Sequence, residues 1–287
     1  MILSLDNLDP SKYKRVFILG CSFTQYYWPT WADIIVSEIP DANVYNTALM
    51  GTGNFHQLWW LQMLSKVAEL TESDLVLQCF STFCREDRIL SDHTWSREGE
   101  IHAGSCAELY DDAYVEKYFF KEGFVLRDFA NIISCVDLHN TAPWDSVVLQ
   151  STPLTIFDEF YTPATLLKNK ISLYFNEFIS YNQSLKDSIG GAWPQPGLEK
   201  LYFVDGDPHP GPIDYFNWLV SAGLNATSLS HEMLQYNICN EYQLMKKFCD
   251  CTISNEEKEN FQEPEHTKRF KNIYLEDLYN ARKNSFS

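Results

Sequence analysis

Apolar positions along the chain fall into short unbroken runs separated by amphipathic stretches. Residues 15–19, RVFIL, are apolar, rich in strand formers and closed at once by Gly20, as expected of a strand buried on both faces. Residues 31–39 carry a helical pattern that Pro40 stops. A second strand is predicted at 42–46 (ANVYN), followed by the loop TALMGTGN and an amphipathic helix from about 55 to 70. Further strands are predicted at 73–81 (SDLVLQCFS), 145–152 (DSVVLQST) and 200–207 (KLYFVDGD). Strands alternating with helices at this spacing predict an α/β fold, a five-stranded parallel sheet with helices on both faces.

Two stretches interrupt the alternation. Residues 85–144 form a long excursion between the third and fourth strands, with a polar part (SDHTWSREGEIHAGS) and a predicted helix around 125–138; it reads as an insertion or lid. After the fifth strand, PIDYFNWLVSAGL predicts a helix with Pro212 at its first position and Gly223 near its end. The organisation expected is one domain over 13–223 and a helical extension over 224–287, with one helix at 230–249 and a charged tail without an assignable element.

Composition narrows the function classes. At 287 residues and 45% hydrophobic content the chain buries a full core without staples. Its eight cysteines are scattered, and the close pair Cys249 and Cys251 is too tight for a zinc knuckle, so reduced thiols are expected. A net charge of -17, from 22 basic and 39 acidic residues, repels phosphate backbones and anionic lipid, so neither nucleic acid nor membrane is expected as a partner. The first residues lack the basic start of a secretory signal and no stretch is long and apolar enough to span a bilayer, which favours a cytoplasmic location and is compatible with a virion-associated one.

In an open parallel sheet ligands sit beyond the carboxyl ends of the strands. The loops there carry Ser22; then Asn46, Gly51, Gly53 and Asn54; then Ser81, Thr82 and Arg85; and finally Asp205, Asp207 and His209. A hydroxyl, a Gly/Asn loop able to present backbone N–H groups and an Asp-Pro-His unit are the ingredients of acyl transfer. Taken singly each has a plainer reading: Ser22 as a turn or helix cap, the glycines as turn residues, and Arg85 as an ion-pair partner of Glu86 or Asp87. The other histidines are dispersed, and Trp59 and Trp60 read as core.

Taken together, the blocks carry a resemblance. Gly20-Cys-Ser22-Phe-Thr24 resembles the GDSxT block of the SGNH (GDSL-type) hydrolases, with Cys21 where Asp is usual. NTALMGTGN resembles that family's second block, and DGDPHPGP resembles its last block, which carries the Asp and His of the triad. The usual Gly-x-Asn-Asp third block has no counterpart, since the third strand runs into CFSTFCREDR. The resemblance covers about 13–223 and extends to proteins encoded by phage and marine bacterial genomes. It implies a flavodoxin-like three-layer sandwich, a triad of Ser22, His209 and Asp207 with Asp205 as the alternative acid, and no metal or organic cofactor. It further implies an oxyanion hole from Ser22 and Gly51, assisted by Gly53 or Asn54, and substrate contacts from Ser81, Thr82 and Arg85. The Asp-x-His spacing is shared with polysaccharide O-acetyltransferase-like relatives. The expected activity is a serine esterase removing O-acyl groups, acetyl above all, and the 8 Trp, 16 Tyr and 19 Phe favour a carbohydrate carrier through ring stacking. The alternatives are an O-acyltransferase with the same triad and an inactive binding or structural member.

Overall fold

The computed structural model describes residues 1–26, 29–82, 85–96, 113, 117, 121–151, 210, 212–231 and 270–272. Within them the apolar runs become the strands β1 (Arg15–Leu19), β2 (Asn43–Asn46), β3 (Asp74–Phe80) and β4 (Asp145–Gln150), joined by β5 (Phe270–Asn272). Helices α1 (Trp31–Ser37), α2 (Asn54–Val67), α3 (Lys121–Thr141) and α4 (Pro212–Ser221) lie among them. The sheet order is β4-β3-β1-β2-β5, and every pairing is parallel: Val16 lies opposite both Val44 and Leu75, Leu77 opposite Val147, and Tyr45 opposite Lys271. The succession β2-β1-β3-β4 is the flavodoxin-like order.

Side chains alternate across the sheet with a period of two, and helices cover both sides, so the polar strand residues Gln78 and Ser146 are buried and bonded to His139. Val16, Ile18, Leu75, Leu77, Val147 and Leu149 pack with Trp31, Ile34 and Ile35 of α1 and Tyr215, Trp218 and Leu219 of α4. Phe17, Leu19, Val76, Phe80 and Val148 pack with Leu58, Leu61 and Leu64 of α2 and Phe129, Ile132 and Val136 of α3. The result is a three-layer α/β/α sandwich. Its sheet is fixed at the amino ends of the strands by charge: Arg15 donates to Asp74 through Nε at 2.7 Å and Nη2 at 2.6 Å, and Asp145 accepts from Lys12 and from the Tyr13 hydroxyl.

Several expectations shift in detail. Helix α1 ends at Ser37, one turn before Pro40 withdraws its donor, and α3 runs longer at both ends than 125–138. The strand expected at 200–207 lies outside the described residues, as does 230–249 beyond His231. The fifth strand of the described sheet comes instead from the segment that offered no element: Phe270–Asn272 pairs with β2, so the extension is not only helical. At the opposite edge residues 1–3 lie along β4, where Ile2 bridges Ser146 and the Leu3 N–H donates to the Ser146 carbonyl at 2.7 Å.

Helix α4 closes in a Schellman turn: Gly223, at φ 104°, donates to Val220, and Leu224 donates to Leu219 at 2.9 Å. Just beyond, the Thr227 N–H and hydroxyl donate to Glu38, the residue that ends α1, at 2.8 and 2.6 Å. The segment that follows α4 is therefore tied to the carboxyl end of α1, on the face of the sheet that both helices cover.

Candidate active site

The peptide after β1 turns sharply, with Thr24 and Gln25 donating to the Cys21 carbonyl at 2.9 and 3.0 Å. Gly20 is obligatory here because a Cβ on it would stand 1.9 Å from Thr24 Oγ1. Thr24 is a scaffold residue: its hydroxyl accepts from the Trp31 indole at 3.2 Å and its carbonyl accepts from Thr30 Oγ1 at 2.8 Å. Capping of α1 falls to Thr30 and Asp33, with the Thr30 N–H donating to Asp33 Oδ2 at 2.7 Å. Ser22 is thus released from the capping role. It is 7% exposed, and among the described residues neither its hydroxyl nor its N–H makes a hydrogen bond.

The loop after β2 is drawn onto the same end of β1. Thr47 donates to the Ile18 carbonyl through both N–H and hydroxyl, at 2.9 and 2.8 Å, and the Leu49 N–H donates to the Gly20 carbonyl at 3.2 Å. Asn46 Oδ1 accepts from the Ala48 N–H at 2.9 Å, a turn within the loop. Leu49 to Thr52 form a tight turn with Gly51 at φ 81°, a conformation glycine adopts freely. Gly51 keeps its N–H uncommitted among the described residues.

The next two residues are spent on structure. The Gly53 N–H donates to Asp87 Oδ1 at 2.6 Å, and Asn54 pairs through its side chain with both backbone groups of Ser81, at 2.8 and 3.4 Å. Of the four residues expected to supply the oxyanion hole, Ser22 and Gly51 retain free backbone donors and Gly53 does not. Ser81 lies at the exit of β3, and its buried hydroxyl has no partner among the described residues. Arg85 donates through Nε to Thr82 Oγ1 and through Nη1 to the Thr52 carbonyl, both at 2.9 Å. Glu86 accepts from Arg88 and Arg127 instead.

Asp87 carries a role that the sequence did not disclose. Its two oxygens accept from the Gly53 and His56 N–H groups, so a carboxylate caps the amino end of α2 from more than thirty residues away. Burial pushes its pKa above the ordinary carboxylate value, against the opposing pull of those two N–H groups. Two histidines nearby in sequence or space are also structural. His56 is buried, and its pKa falls to about 3 through desolvation; its Nε2 accepts from the Trp60 indole at 3.1 Å while Nδ1 faces Thr52 Oγ1 at 3.3 Å. His139, below β3, is likewise held near 3, with Nε2 on Gln78 Oε1 at 2.7 Å. Cys21, Cys79 and Cys135 are free and buried, and burial raises the thiol pKa of Cys79 well up and that of Cys135 to about 12.

Asp205, Asp207 and His209 lie outside the described residues. The chain re-enters at Pro210, which is buried, just before α4. Among the described residues no three His, Cys, Asp or Glu side chains gather as a metal site, and no helix is long and apolar enough to cross a membrane.

No family model and no curated protein matches the chain. Solved structures similar to the chain at low identity include the following two. One is a member of the lipolytic protein G-D-S-L family from Veillonella parvula, 12% identical, with a TM-score of 0.41 over 75% of this chain and 98% of that one. The other is a candidate acylhydrolase from Bacteroides fragilis, 18% identical, with a TM-score of 0.39 over 74% of this chain and 86% of that one.

Proposed function

We propose that the chain is an ester hydrolase of the SGNH type, in which Ser22 attacks an O-acyl ester, acetyl above all, with His209 as general base and Asp207 orienting the imidazole. The observation that carries this reading is the conjunction at the end of β1: an unbonded serine hydroxyl, its own N–H and the Gly51 N–H, all uncommitted among the described residues. A hydroxyl with two spare backbone donors in neighbouring loops suits addition to a carbonyl followed by stabilisation of the oxyanion. The assignment of His209 is supported by its position directly before Pro210 and α4, the helix that packs with α1 on one face of the sheet. An acylated carbohydrate is the substrate we favour, and hydrolysis needs no group beyond the chain's own side chains and water.

Turnover of 4-nitrophenyl acetate and deacetylation of an acetylated oligosaccharide test the reading. Ser22→Ala is expected to abolish both while leaving the circular dichroism spectrum unchanged, and a fluorophosphonate probe is expected to label Ser22. Undiminished turnover in Ser22→Ala, or labelling elsewhere, rejects the assignment.

A further inference from the structure

Arg85 and Asp87 grip one peptide unit from its two sides. Arg85 Nη1 donates to the Thr52 carbonyl at 2.9 Å and Asp87 Oδ1 accepts from the Gly53 N–H at 2.6 Å. Those two groups belong to a single planar amide, so holding both fixes its orientation. The grip is itself supported. Arg85 Nε is tied to Thr82, the second oxygen of Asp87 takes the His56 N–H, and the Arg127 guanidinium donates to the Arg85 carbonyl. Both side chains are buried, at 7% and 8% exposure. Gly53 completes the fit, since a Cβ there would stand 2.8 Å from Arg85 Cβ and 2.9 Å from Asp87 Oδ2.

Gly51 lies between this fixed amide and a second anchor, the Leu49 N–H on the Gly20 carbonyl. We infer that Arg85 and Asp87 are positioning residues that aim the Gly51 N–H at the oxyanion formed on Ser22, an inference that rests on the esterase reading above. Neither side chain contacts the ester in this scheme; each acts through the 52–53 peptide. An oxyanion donor is worth about 100- to 1,000-fold in kcat, and a displacement of order 1 Å forfeits about 100-fold.

The test uses the full chain and 4-nitrophenyl acetate, with wild type, Ser22→Ala, Asp87→Asn, Arg85→Gln and Arg85→Lys. Asp87→Asn and Arg85→Gln are expected to lower kcat roughly 10- to 100-fold with KM within about twofold of wild type. Arg85→Lys keeps the charge but lacks the fork that spans Thr52 and Thr82, and is expected to fall between. Amide exchange at Gly53 should quicken in Asp87→Asn while β3 amides stay protected, which separates a loosened loop from an unfolded chain. Should Asp87→Asn unfold, the Arg85 pair decides. A kcat within about twofold of wild type in Arg85→Gln, or a rise in KM at unchanged kcat, overturns the positioning role while Ser22-dependent turnover stands. Absence of Ser22-dependent turnover in the wild type overturns the esterase reading, and the positioning role with it.

Discussion

Two buried imidazoles make the stability of this protein acid-sensitive in a narrow window. In each, the lone pair of one ring nitrogen is occupied by an indole N–H: Trp60 donates to His56 Nε2 at 3.1 Å, and Trp144 donates to His139 Nδ1 at 3.3 Å. Protonation would set one N–H against another inside the core, where desolvation already lowers both pKa values from 6.5 to about 3. Because the folded values lie below the unfolded ones, the unfolded chain binds more protons as pH falls. The stability contributed by the neutral rings is complete above about 6.5 and is lost progressively toward 3. At pH 5 the loss is roughly 2 kcal/mol for each ring and roughly 4 kcal/mol for the pair. Against a typical total of about 5–15 kcal/mol that is a large fraction.

Urea unfolding at pH 7.0, 6.5, 5.5 and 5.0 measures the effect. The window excludes Glu38, which is held below its usual 4.5 despite burial because of bonds from Ser230 and Thr227 and so acts at lower pH. The amino terminus, lowered from 8.0 by burial, works in the same direction as the rings. Asp87, raised by burial, gains protons in the folded state and so works in the opposite direction. His139→Gln should roughly halve the loss between pH 7 and 5, from about 4 to about 2 kcal/mol, and unfolding at pH 5 should take up one proton fewer. A pH-independent stability over this range, or an unchanged slope in His139→Gln, refutes the argument that the rings stay neutral.

Other substitutions probe the scaffold. Gly20→Ala forces a methyl to within 1.9 Å of Thr24 Oγ1 and should lower stability by about 1–3 kcal/mol in thermal unfolding, displacing Ser22 with its turn. Asp74→Ala strips partners from Arg15 and from the Thr71 N–H; urea unfolding should register a loss of about 3 kcal/mol or more. Gly223→Ala, at φ 104°, should destabilise by roughly 1–2 kcal/mol, and an undiminished midpoint would contradict the Schellman assignment.

The central strands were legible because helices cover both faces of the sheet: β1 after Arg15, Leu75–Leu77 of β3 and Val147–Leu149 of β4 are continuous apolar runs, and such a run leaves little room for another reading. Strand β5 was not legible. Three residues carry no periodicity, and their pairing with β2 depends on partners more than two hundred positions away. At the candidate site the sequence showed where the first two loops fall, since a strand ending in Gly20 must turn at Ser22 and a Gly-rich stretch must follow β2. It did not apportion the loop's donors. That Gly53 is committed and Gly51 is not follows from Asp87, whose reach across the fold leaves no local trace in REDR. Arg85 was open between ion pairing and ligand contact; it bonds to Thr52 and Thr82.

Among the described residues the two borders of the sheet are lined by widely separated parts of the sequence, residues 1–3 beside β4 and Phe270–Asn272 beside β2. During synthesis the first is available early, whereas β2 must wait for more than two hundred further residues, roughly ten to forty-five seconds at ribosomal speeds. Throughout that interval β2 lacks the partner that covers it in the described sheet, and an uncovered strand border is the feature by which unfinished β-proteins stick to one another. Among the described residues the covered border then ends in a strand of three residues, and so short an edge offers little to pair with.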